Sequence, residues 1–540
     1  MEGGLMPTSA RPTDAPFNPA LPYPSQRQPV LARNMVATSQ PLATSAGLRT
    51  LWRGGNAIDA AVAAAIALTV VEPTSNGIGG DLFAILHDGR NLHGLNASGR
   101  SPAAMERDQF GDATDMPVRG WPSVTVPGAP SGWLELSRKF GRLPFHELFE
   151  PAIEYAEGGF VVSPVTARAW QASVERLRDF PDFLAAFTID GAAPRAGEVV
   201  ELPHHAKTLR EIAITRAESV YHGHLARAMV DHSDRSGGQF TLDDFSSHTA
   251  TPVGTLSINF RGFRLHEIPP NGQGVAALMA LGILSQFDLT RYDVDSVDCV
   301  HLQIEAMKLA FADAHRHVAD PKFMQVDPND LIEPEYTARR AALIKLDQAI
   351  APQHGRPHPG GTVYLTAADG EGRMVSLIQS NFYGFGSGIV VPGTGIAMQN
   401  RGFGFTLERG HVNEVGPSKR PFHTIIPGFV SKDGRAWMSF GVMGGEMQPQ
   451  GHVQMVVRCC AFDQNPQAAS DAPRWKVMEG RRVLLERGWS SEMEHGLRAR
   501  GHQVEIRESA EFGGAQLIQR LRDGYLGASD HRKDGLAAGF

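Results

Sequence analysis

The residues of this chain whose types and spacing could most directly do chemistry are Gly360, Gly361 and Thr362. Two glycines allow the strained turn in which a threonine hydroxyl attacks the carbonyl carbon before it. An N→O acyl shift followed by hydrolysis would then leave Thr362 as a new N-terminus. Such a threonine carries a nucleophilic hydroxyl together with an α-amine that acts as its general base. Because an α-amine titrates near neutral pH, this chemistry needs no histidine.

The segment that follows Thr362 has the pattern of a buried β-hairpin. Residues 363–368 are β-branched, aromatic or small, which favours a half-buried strand. Residues 369–372, Asp-Gly-Glu-Gly, indicate a turn, and residues 374–380 return as the partner strand. Gly-Gly-Thr is also ordinary turn chemistry at the entrance of a hairpin. The local pattern alone therefore leaves a catalytic residue and a plain structural loop both open.

A set of ten short motifs extends the argument to most of the chain. In order, they are Arg53–Ala63, Glu72-Pro73, Gly77–Asp81, Ser98–Pro102, Val126–Gly128, Glu305–Asp313, Gly361-Thr362, Phe385–Gly388, Lys419–Pro421 and Gly444-Gly445. Between about Met35 and Gln516 they resemble the γ-glutamyltransferase (glutathione hydrolase) family of N-terminal-nucleophile hydrolases. The resemblance implies a mixed α/β (α+β) fold, namely a four-layer αββα sandwich formed jointly by both parts of a self-cleaved precursor.

The resemblance also implies where the nucleophile is made and what holds it. Autocatalytic cleavage would fall between Gly361 and Thr362, and Thr362 would be the catalytic nucleophile. Ser380 falls where the family places a hydroxyl that hydrogen-bonds the nucleophile. Judged from its strand pattern alone, Ser380 could equally be a polar residue on an exposed face.

Two further motifs would contact the substrate. Gly444 and Gly445 match the family's oxyanion pair, whose backbone N–H groups stabilise a tetrahedral intermediate. Arg100 matches the arginine that binds the α-carboxylate of a glutamyl group, a contact that a guanidinium can make bidentately. Without the resemblance, the glycine pair could be a simple turn and Arg100 a solvated surface charge.

The chain departs from typical members at the position that binds the substrate's ammonium. Those enzymes carry an acidic residue in a pattern ending Asp-Asp-Phe-Ser, whereas residues 401–405 here read Arg-Gly-Phe-Gly-Phe, with Gly404 at the acidic position. His423 and Thr424 stand where those enzymes have a Ser-Ser pair, and we expect them to bind substrate. The changes resemble the branch that includes oxamate amidohydrolase and cephalosporin-type acylases.

The expected activity is therefore that of a self-processing amidohydrolase and acyltransferase, made as a zymogen. It would cleave a γ-glutamyl or related carboxylate-bearing amide through an acyl-Thr362 intermediate. An oxamate- or cephalosporin-acylase-type amide hydrolase is the nearer alternative, and an uncleaved, non-catalytic binding protein is the more distant one. The sequence leaves the acyl donor, the preference for water or an acceptor amine, and the oligomeric state open.

Composition argues against other classes of function. The chain has 540 residues, 42% hydrophobic and 20% charged, with a net charge of −7 and no basic patch, so we expect no nucleic-acid partner. Cys299, Cys459 and Cys460 form neither a disulfide framework nor a zinc pattern, and the histidines lack metal spacing, so no metal and no cofactor are expected. The longest apolar run, residues 57–71, contains Asp59 and indicates a core helix rather than a membrane span. Residues 1–29 lack the apolar region of a signal peptide, which favours a cytoplasmic location.

The expected organisation is a disordered tail over residues 1–33, a helix-rich large subunit over 34–361 and a β-rich small subunit over 362–540. A Pro/His/Gly-rich linker over 351–361 would hold the cleavage point. The patterns predict helices over 41–53, 57–68, 147–155, 165–178, 274–284, 296–313 and 452–462, and strands over 82–86, 362–379, 388–391, 423–430 and 436–442. We expect the two subunits to stay together as a heterodimer, with a small-molecule amide as substrate; a dimer of heterodimers is left open.

Overall fold

Two seven-stranded antiparallel sheets form the centre of the protein in the computed structural model, which describes residues 26–352 and 361–540. The first sheet runs, in spatial order, Leu536–Gly539, Met35–Thr38, Gly361–Ala368, Met374–Phe382, Asp81–His87, Leu92–Asn96 and Thr251–Val253. The second runs Val30–Ala32, Tyr525–Ser529, Ala515–Arg520, Arg435–Val442, Gly428–Lys432, Phe263–Glu267 and Leu256–Phe260. Smaller sheets pair Phe160–Val161 with Val199–Val200, pair Val390–Val391 with Ile396–Ala397, and join Trp475–Val477, Arg482–Glu486 and Gln503–Arg507.

The predicted hairpin is confirmed and lies at the middle of the first sheet. Gly361–Ala368 pairs with Met374–Phe382 on one side and with Met35–Thr38 on the other. All of Met374–Phe382 is buried, as expected for a central strand covered on both faces. Strands from before and after residue 361 are therefore interleaved in one hydrogen-bonded sheet, so a cut before Thr362 leaves most of that sheet in place.

Helices pack against both sheets and against one another. They span Pro41–Trp52, Ala57–Val71, Ala129–Phe140, Glu150–Gly158, Pro164–Arg176, Pro181–Phe187, Pro203–Thr215, Glu218–Tyr221, His224–Arg235, Leu242–Ser246, Gly274–Leu284, Val297–His317, Pro334–Ala341, Met447–Val456, Pro466–Asp471 and Ser491–Ala499. Ala57–Val71 is wholly buried and contacts the hairpin strands, and a capping box formed by Asn56 and Asp59 fixes where it begins. Gly274–Leu284, also wholly buried, packs on the second sheet.

A shared apolar core fills the space between the two sheets. Phe83, Tyr364 and Ile378 of the first sheet meet Phe429 and Ile518 of the second, and all five are fully buried. Large buried side chains on facing sheets contribute a few kcal/mol each to stability. This core holds the end of the Thr362 strand in a fixed position relative to the second sheet.

The structure corrects three details of the sequence prediction. The disordered tail is wrong for Val30–Ala32, because this apolar segment pairs antiparallel with Tyr525–Ser529; residues 1–25 lie outside the described residues. The strand predicted over 423–430 begins only at Gly428, since the backbone of His423 is hydrogen-bonded to Asn271 and Gln273 instead. The helix predicted from residue 452 already begins at Met447. Most of the predicted linker, residues 353–360, also lies outside the described residues.

Candidate active site

Thr362 lies at the start of the central hairpin strand and is only 1% exposed. The ladder has an irregularity between Gly361 and Val363, so Thr362 is displaced from regular pairing. Its Oγ1 donates to Ser380 Oγ at 3.3 Å and accepts from Gln448 Nε2 at 3.4 Å. The predicted nucleophile is therefore a buried hydroxyl held by two polar side chains.

Ser380 is fully buried, which rules out the interpretation of a polar residue on an exposed strand face. Its Oγ accepts from the backbone N–H of Phe382 at 2.8 Å. Phe382 has a φ of 75°, an uncommon value for a non-glycine residue, and it turns the chain at the end of the strand. The serine hydroxyl is thus fixed in orientation and placed beside the threonine.

Gly444 and Gly445 form a turn between the strand Arg435–Val442 and the helix Met447–Val456. Their φ values are 116° and 63°, which only glycine adopts without strain. Within the described residues, neither backbone N–H donates to another protein group. Consecutive free N–H groups in such a turn form an anion-binding concavity, as the oxyanion role requires.

Gln448 is the residue that joins the glycine turn to the nucleophile, and sequence reasoning missed it. Its Nε2 donates to Thr362 Oγ1, while its Oε1 accepts from the backbone N–H of Ile426 at 2.9 Å. It lies in the first turn of the helix that follows the glycine pair. That position after Gly444-Gly445 was the available signal, because the first turn of a helix that follows the glycine pair lies close to that pair.

His423, which the sequence predicted to bind substrate, has its ring enclosed by the protein, and its substrate-binding role stays a prediction. It is fully buried, and its Nε2–H donates to Asp81 Oδ2 at 3.0 Å while Nδ1 accepts from the backbone N–H of Ile425 at 3.3 Å. Burial lowers the pKa of His423 well below its usual range, so the ring is neutral. With both ring nitrogens used, His423 positions Asp81, which pairs across the sheet with Ser380.

Thr424, which follows His423, lines the site, but its hydroxyl and its carbonyl oxygen are hydrogen-bonded to other residues of the chain. Its Oγ1 accepts from Arg401 Nη1 at 2.7 Å, and its carbonyl oxygen accepts from Gln273 Nε2 at 2.7 Å. Gln273 Nε2 also donates to Gly445 O at 3.0 Å, which ties Thr424 to the oxyanion turn. The substrate-binding role of Thr424 stays a prediction.

Arg100 is engaged by other residues of the chain. Its Nη1 donates to Asp320 Oδ2 at 2.6 Å and to Ser418 O at 3.1 Å. The side chain of Arg100 is about one-third exposed and that of Asp320 is buried. Binding of a substrate carboxylate by Arg100 also stays a prediction.

A cavity of about 350 Å³ opens beside Phe382 and Thr424. Its wall is lined by Thr114–Met116, His315, Arg316, Phe382, Phe403–Thr406, Glu408, His411, Asn413, Phe422, Thr424 and Glu446, and Arg100 is not among them. Glu446 follows the glycine pair, lies 3.4 Å from His315 Nε2 and keeps a buried Oε2 without a hydrogen-bond partner. Aromatic walls with a few charged groups are typical of small-molecule pockets.

Among the described residues, His301, Glu305 and His502 form a buried group with metal-like spacing. Lys308 Nζ already donates to Glu305 Oε1 at 2.7 Å and to His502 Nδ1 at 3.3 Å. His301 completes the chain of hydrogen bonds through His502 Nε2 and the carbonyl oxygen of Lys345, both at 2.8 Å. Because a lysine ammonium supplies the cation and the ligand atoms have protein partners, this group is a satisfied polar network.

No helix in residues 26–352 or 361–540 is both long and apolar enough to cross a membrane.

Comparisons with known proteins show the family to which the chain belongs. The model of a family described as Gamma-glutamyltranspeptidase matches residues 43–540. The glutathione hydrolase-like YwrD proenzyme of Bacillus subtilis is 35% identical over 94% of this chain and 98% of its own. The oxamate amidohydrolase proenzyme of Klebsiella pneumoniae is 36% identical over 95% and 99%. The crystal structure of cephalosporin acylase from Bacillus halodurans matches with a TM-score of 0.93 and 46% identity, over 97% of this chain and 99% of that one. The chain therefore belongs to the gamma-glutamyltranspeptidase family, and it is an amide-cleaving enzyme of that family.

Proposed function

We propose that the chain cuts itself between Gly361 and Thr362, and that the freed Thr362 is the nucleophile for a carboxylate-bearing amide. The observation that carries this proposal is the environment of Thr362 Oγ1, which is buried at a strand end between Ser380 and Gln448. A buried hydroxyl held by neutral hydrogen bonds suits a nucleophile whose base is its own α-amine. The names of several relatives as proenzymes support the processing step.

The cleaved product would be a heterodimer of residues 34–361 and 362–540. Support comes from the first sheet, in which Gly361–Ala368 lies between Met35–Thr38 and Met374–Phe382. The contacts of the two sheets through one core, with helices packed outside, also support the four-layer αββα arrangement. Separating the fragments would expose that core, so the fragments should stay associated after the cut.

In the proposed cycle, the α-amine takes the proton of Thr362 Oγ1 as the oxygen attacks the amide carbonyl carbon. The N–H groups of Gly444 and Gly445 stabilise the oxyanion, a contribution of about 3 kcal/mol for each donor. The proton then passes to the leaving amine as the C–N bond breaks, giving an acyl-Thr362 ester. Water, deprotonated by the same amine, or an acceptor amine releases the acyl group and restores the hydroxyl.

The first test is intact mass spectrometry of the purified protein after incubation at neutral pH, with Thr362→Ala and Thr362→Ser variants. We expect two fragments that divide before Thr362 in the wild type, no cleavage in the alanine variant and slower cleavage in the serine variant, which keeps a hydroxyl. A wild type that stays intact and inactive, like the alanine variant, would refute the processing mechanism.

The second test addresses the acyl donor. Initial rates with γ-glutamyl-p-nitroanilide and with oxamate, measured under identical conditions, distinguish a γ-glutamyl specificity from an oxamate specificity. The oxamate candidate is favoured by Gly404, since no carboxylate stands at the position that pairs with an α-ammonium in typical members. A clear preference for the γ-glutamyl substrate would instead favour glutathione-hydrolase-type specificity.

A further inference from the structure

The guanidinium of Arg401 is buried against Phe382, the strand partner of Gly361, and lacks an anionic hydrogen-bond partner. The residue is 1% exposed, and its Nη1 donates to Thr424 Oγ1. Its Nε and Nη2 are buried and have no hydrogen-bond partner, and no other arginine in the described residues has two such nitrogens. Sequence reasoning singled out Arg401-Gly402-Phe403 only for the carboxylate missing from that motif.

The free nitrogens form the part of the side chain that is best suited to bind a carboxylate. Nε–H and one Nη2–H point along the same edge of the planar guanidinium, and this edge pairs with both oxygens of a carboxylate. Thr424 occupies the opposite corner, so the open edge has a fixed orientation. The ring of Phe382 lies 4.6 Å from the guanidinium carbon and supports its flat face.

Nearby Asp81 does not accept a hydrogen bond from Arg401. Its Oδ2 accepts from His423 and its Oδ1 accepts from the backbone N–H of Gly99. Burial lowers the pKa of Arg401 to about 9, and the charge of Asp81 opposes this shift. The guanidinium is therefore still protonated at neutral pH, and a buried cation with one hydrogen bond gains from an incoming anion.

The two side chains that contact the Arg401 guanidinium, Phe382 and Thr424, are linked to the two segments of the proposed catalytic site. Phe382, which stacks on Arg401, pairs across the hairpin with Gly361, the residue before the nucleophile. Thr424 is joined through Gln273 to the oxyanion turn at Gly445. Phe382 and Thr424 also line the 350 Å³ cavity.

We propose that Arg401, through its Nε and Nη2 edge, binds the carboxylate of the acyl group and so selects monoamides of short dicarboxylic acids. The inference rests on the proposed function, because it assigns the acyl side of the Thr362 site. Arg100, which is held by Asp320, then contributes less to acyl binding.

The test compares glutaryl-p-nitroanilide with butyryl-p-nitroanilide, which lacks the terminal carboxylate. The ratio of kcat/KM for the two substrates is measured in the processed wild type and in Arg401→Met, Arg401→Lys and Arg458→Met variants. We expect Arg401→Met to reduce the ratio about 100-fold through KM for the glutaryl substrate, since losing one partner of a buried charge pair costs that much. The kcat/KM ratio of Arg401→Lys should lie between those of the wild type and Arg401→Met, because lysine keeps the charge but cannot bind a carboxylate bidentately.

Arg458→Met is the matched control, since Arg458 is a buried arginine that pairs with Asp295 away from the site. It should keep the wild-type ratio. If Arg401→Met lowers kcat/KM equally for both substrates, or leaves the ratio unchanged, Arg401 is a structural counter-charge and the inference is overturned.

Calorimetric titration with glutarate separates failure of this inference from failure of the proposed function. If the wild type hydrolyses no amide but binds glutarate, and Arg401→Met does not bind it, the subsite stands and the Thr362 mechanism fails. Equal glutarate affinity in both proteins refutes the subsite whatever the activity. Thermal unfolding of each variant confirms that the compared proteins are folded.

Discussion

The neutral side of the candidate site, around Thr362, and its charged side, around Arg401, are built in opposite ways. Around Thr362 Oγ1 the partners are neutral, namely Ser380 and Gln448. Arg401 and Asp81, by contrast, are buried side chains that can carry charge. The difference teaches that a nucleophile with its own amine base needs only neutral hydrogen bonds, while buried charge is useful where a charged substrate group must be recognised.

The largest effect is expected from the neutral side, at the oxyanion turn. Gly444 has a φ of 116°, and an added Cβ would lie 3.2 Å from both Gly513 Cα and Met447 Cβ. Gly444→Ala should therefore turn the N–H groups away and lower kcat about 10²- to 10³-fold, with a smaller change in KM. Steady-state kinetics on the processed enzyme is the measurement. Gly416→Ala, which an added Cβ would not crowd, is the control, and an equal loss there would contradict the oxyanion assignment.

The next-largest effect, on the pH dependence of the free energy of unfolding, is expected from Asp81 on the charged side. Burial raises its pKa to about 7 from an unfolded value of 3.8, against the lowering effect of Arg401. The folded state thus holds a proton that the unfolded state has lost, so this contribution to stability is present below about pH 4 and is lost as pH rises toward 7. The shift corresponds to a few kcal/mol, as an order of magnitude.

The measurement is the free energy of unfolding between pH 4.5 and 7.5 in the wild type and Asp81→Asn. The asparagine variant keeps an acceptor for His423 and should show a shallower fall in stability with rising pH. Parallel curves for the two proteins would show that Asp81 does not titrate in this window.

Arg100 and Arg401 can be compared directly by the effect of each on KM for the glutaryl substrate. Because Asp320 already engages Arg100, Arg100→Met should raise KM for glutaryl-p-nitroanilide by less than about 10-fold, well below the effect of Arg401→Met. The measurement is KM for glutaryl-p-nitroanilide in both variants and in wild-type protein assayed in parallel. A larger effect at Arg100 would return the carboxylate to the position that the family resemblance predicted.

The smallest effect is expected at Glu446, whose Oε2 is buried without a partner at the cavity wall. An α-ammonium on the acyl group could pair with it, so Glu446→Gln should lower kcat/KM for γ-glutamyl-p-nitroanilide about 3- to 5-fold relative to the glutaryl substrate. The measurement is the ratio of kcat/KM for the γ-glutamyl and glutaryl substrates, in the wild type and in Glu446→Gln. An unchanged ratio would mean that the site does not sense the amino group.

Much of the neutral side could be predicted from the sequence because its signals are local. The hairpin that carries Thr362 and Ser380 follows from strand and turn residues, and the structure confirms it. The family was also recognised correctly from ordered motifs. The surroundings of His423 could not be predicted, because its residue type suits substrate binding and only the fold shows that Asp81 and Ile425 use both ring nitrogens.

The sequence by itself therefore determined the family, the hairpin and the candidate nucleophile, since those depend on residue types at short spacing. Only the tertiary structure decided which charged groups have partners. Arg100 meets Asp320 and Arg401 meets Thr424 through contacts between segments far apart in the chain. Whether a guanidinium is engaged or open depends on such long-range contacts and on the burial that they create, and no local pattern encodes either.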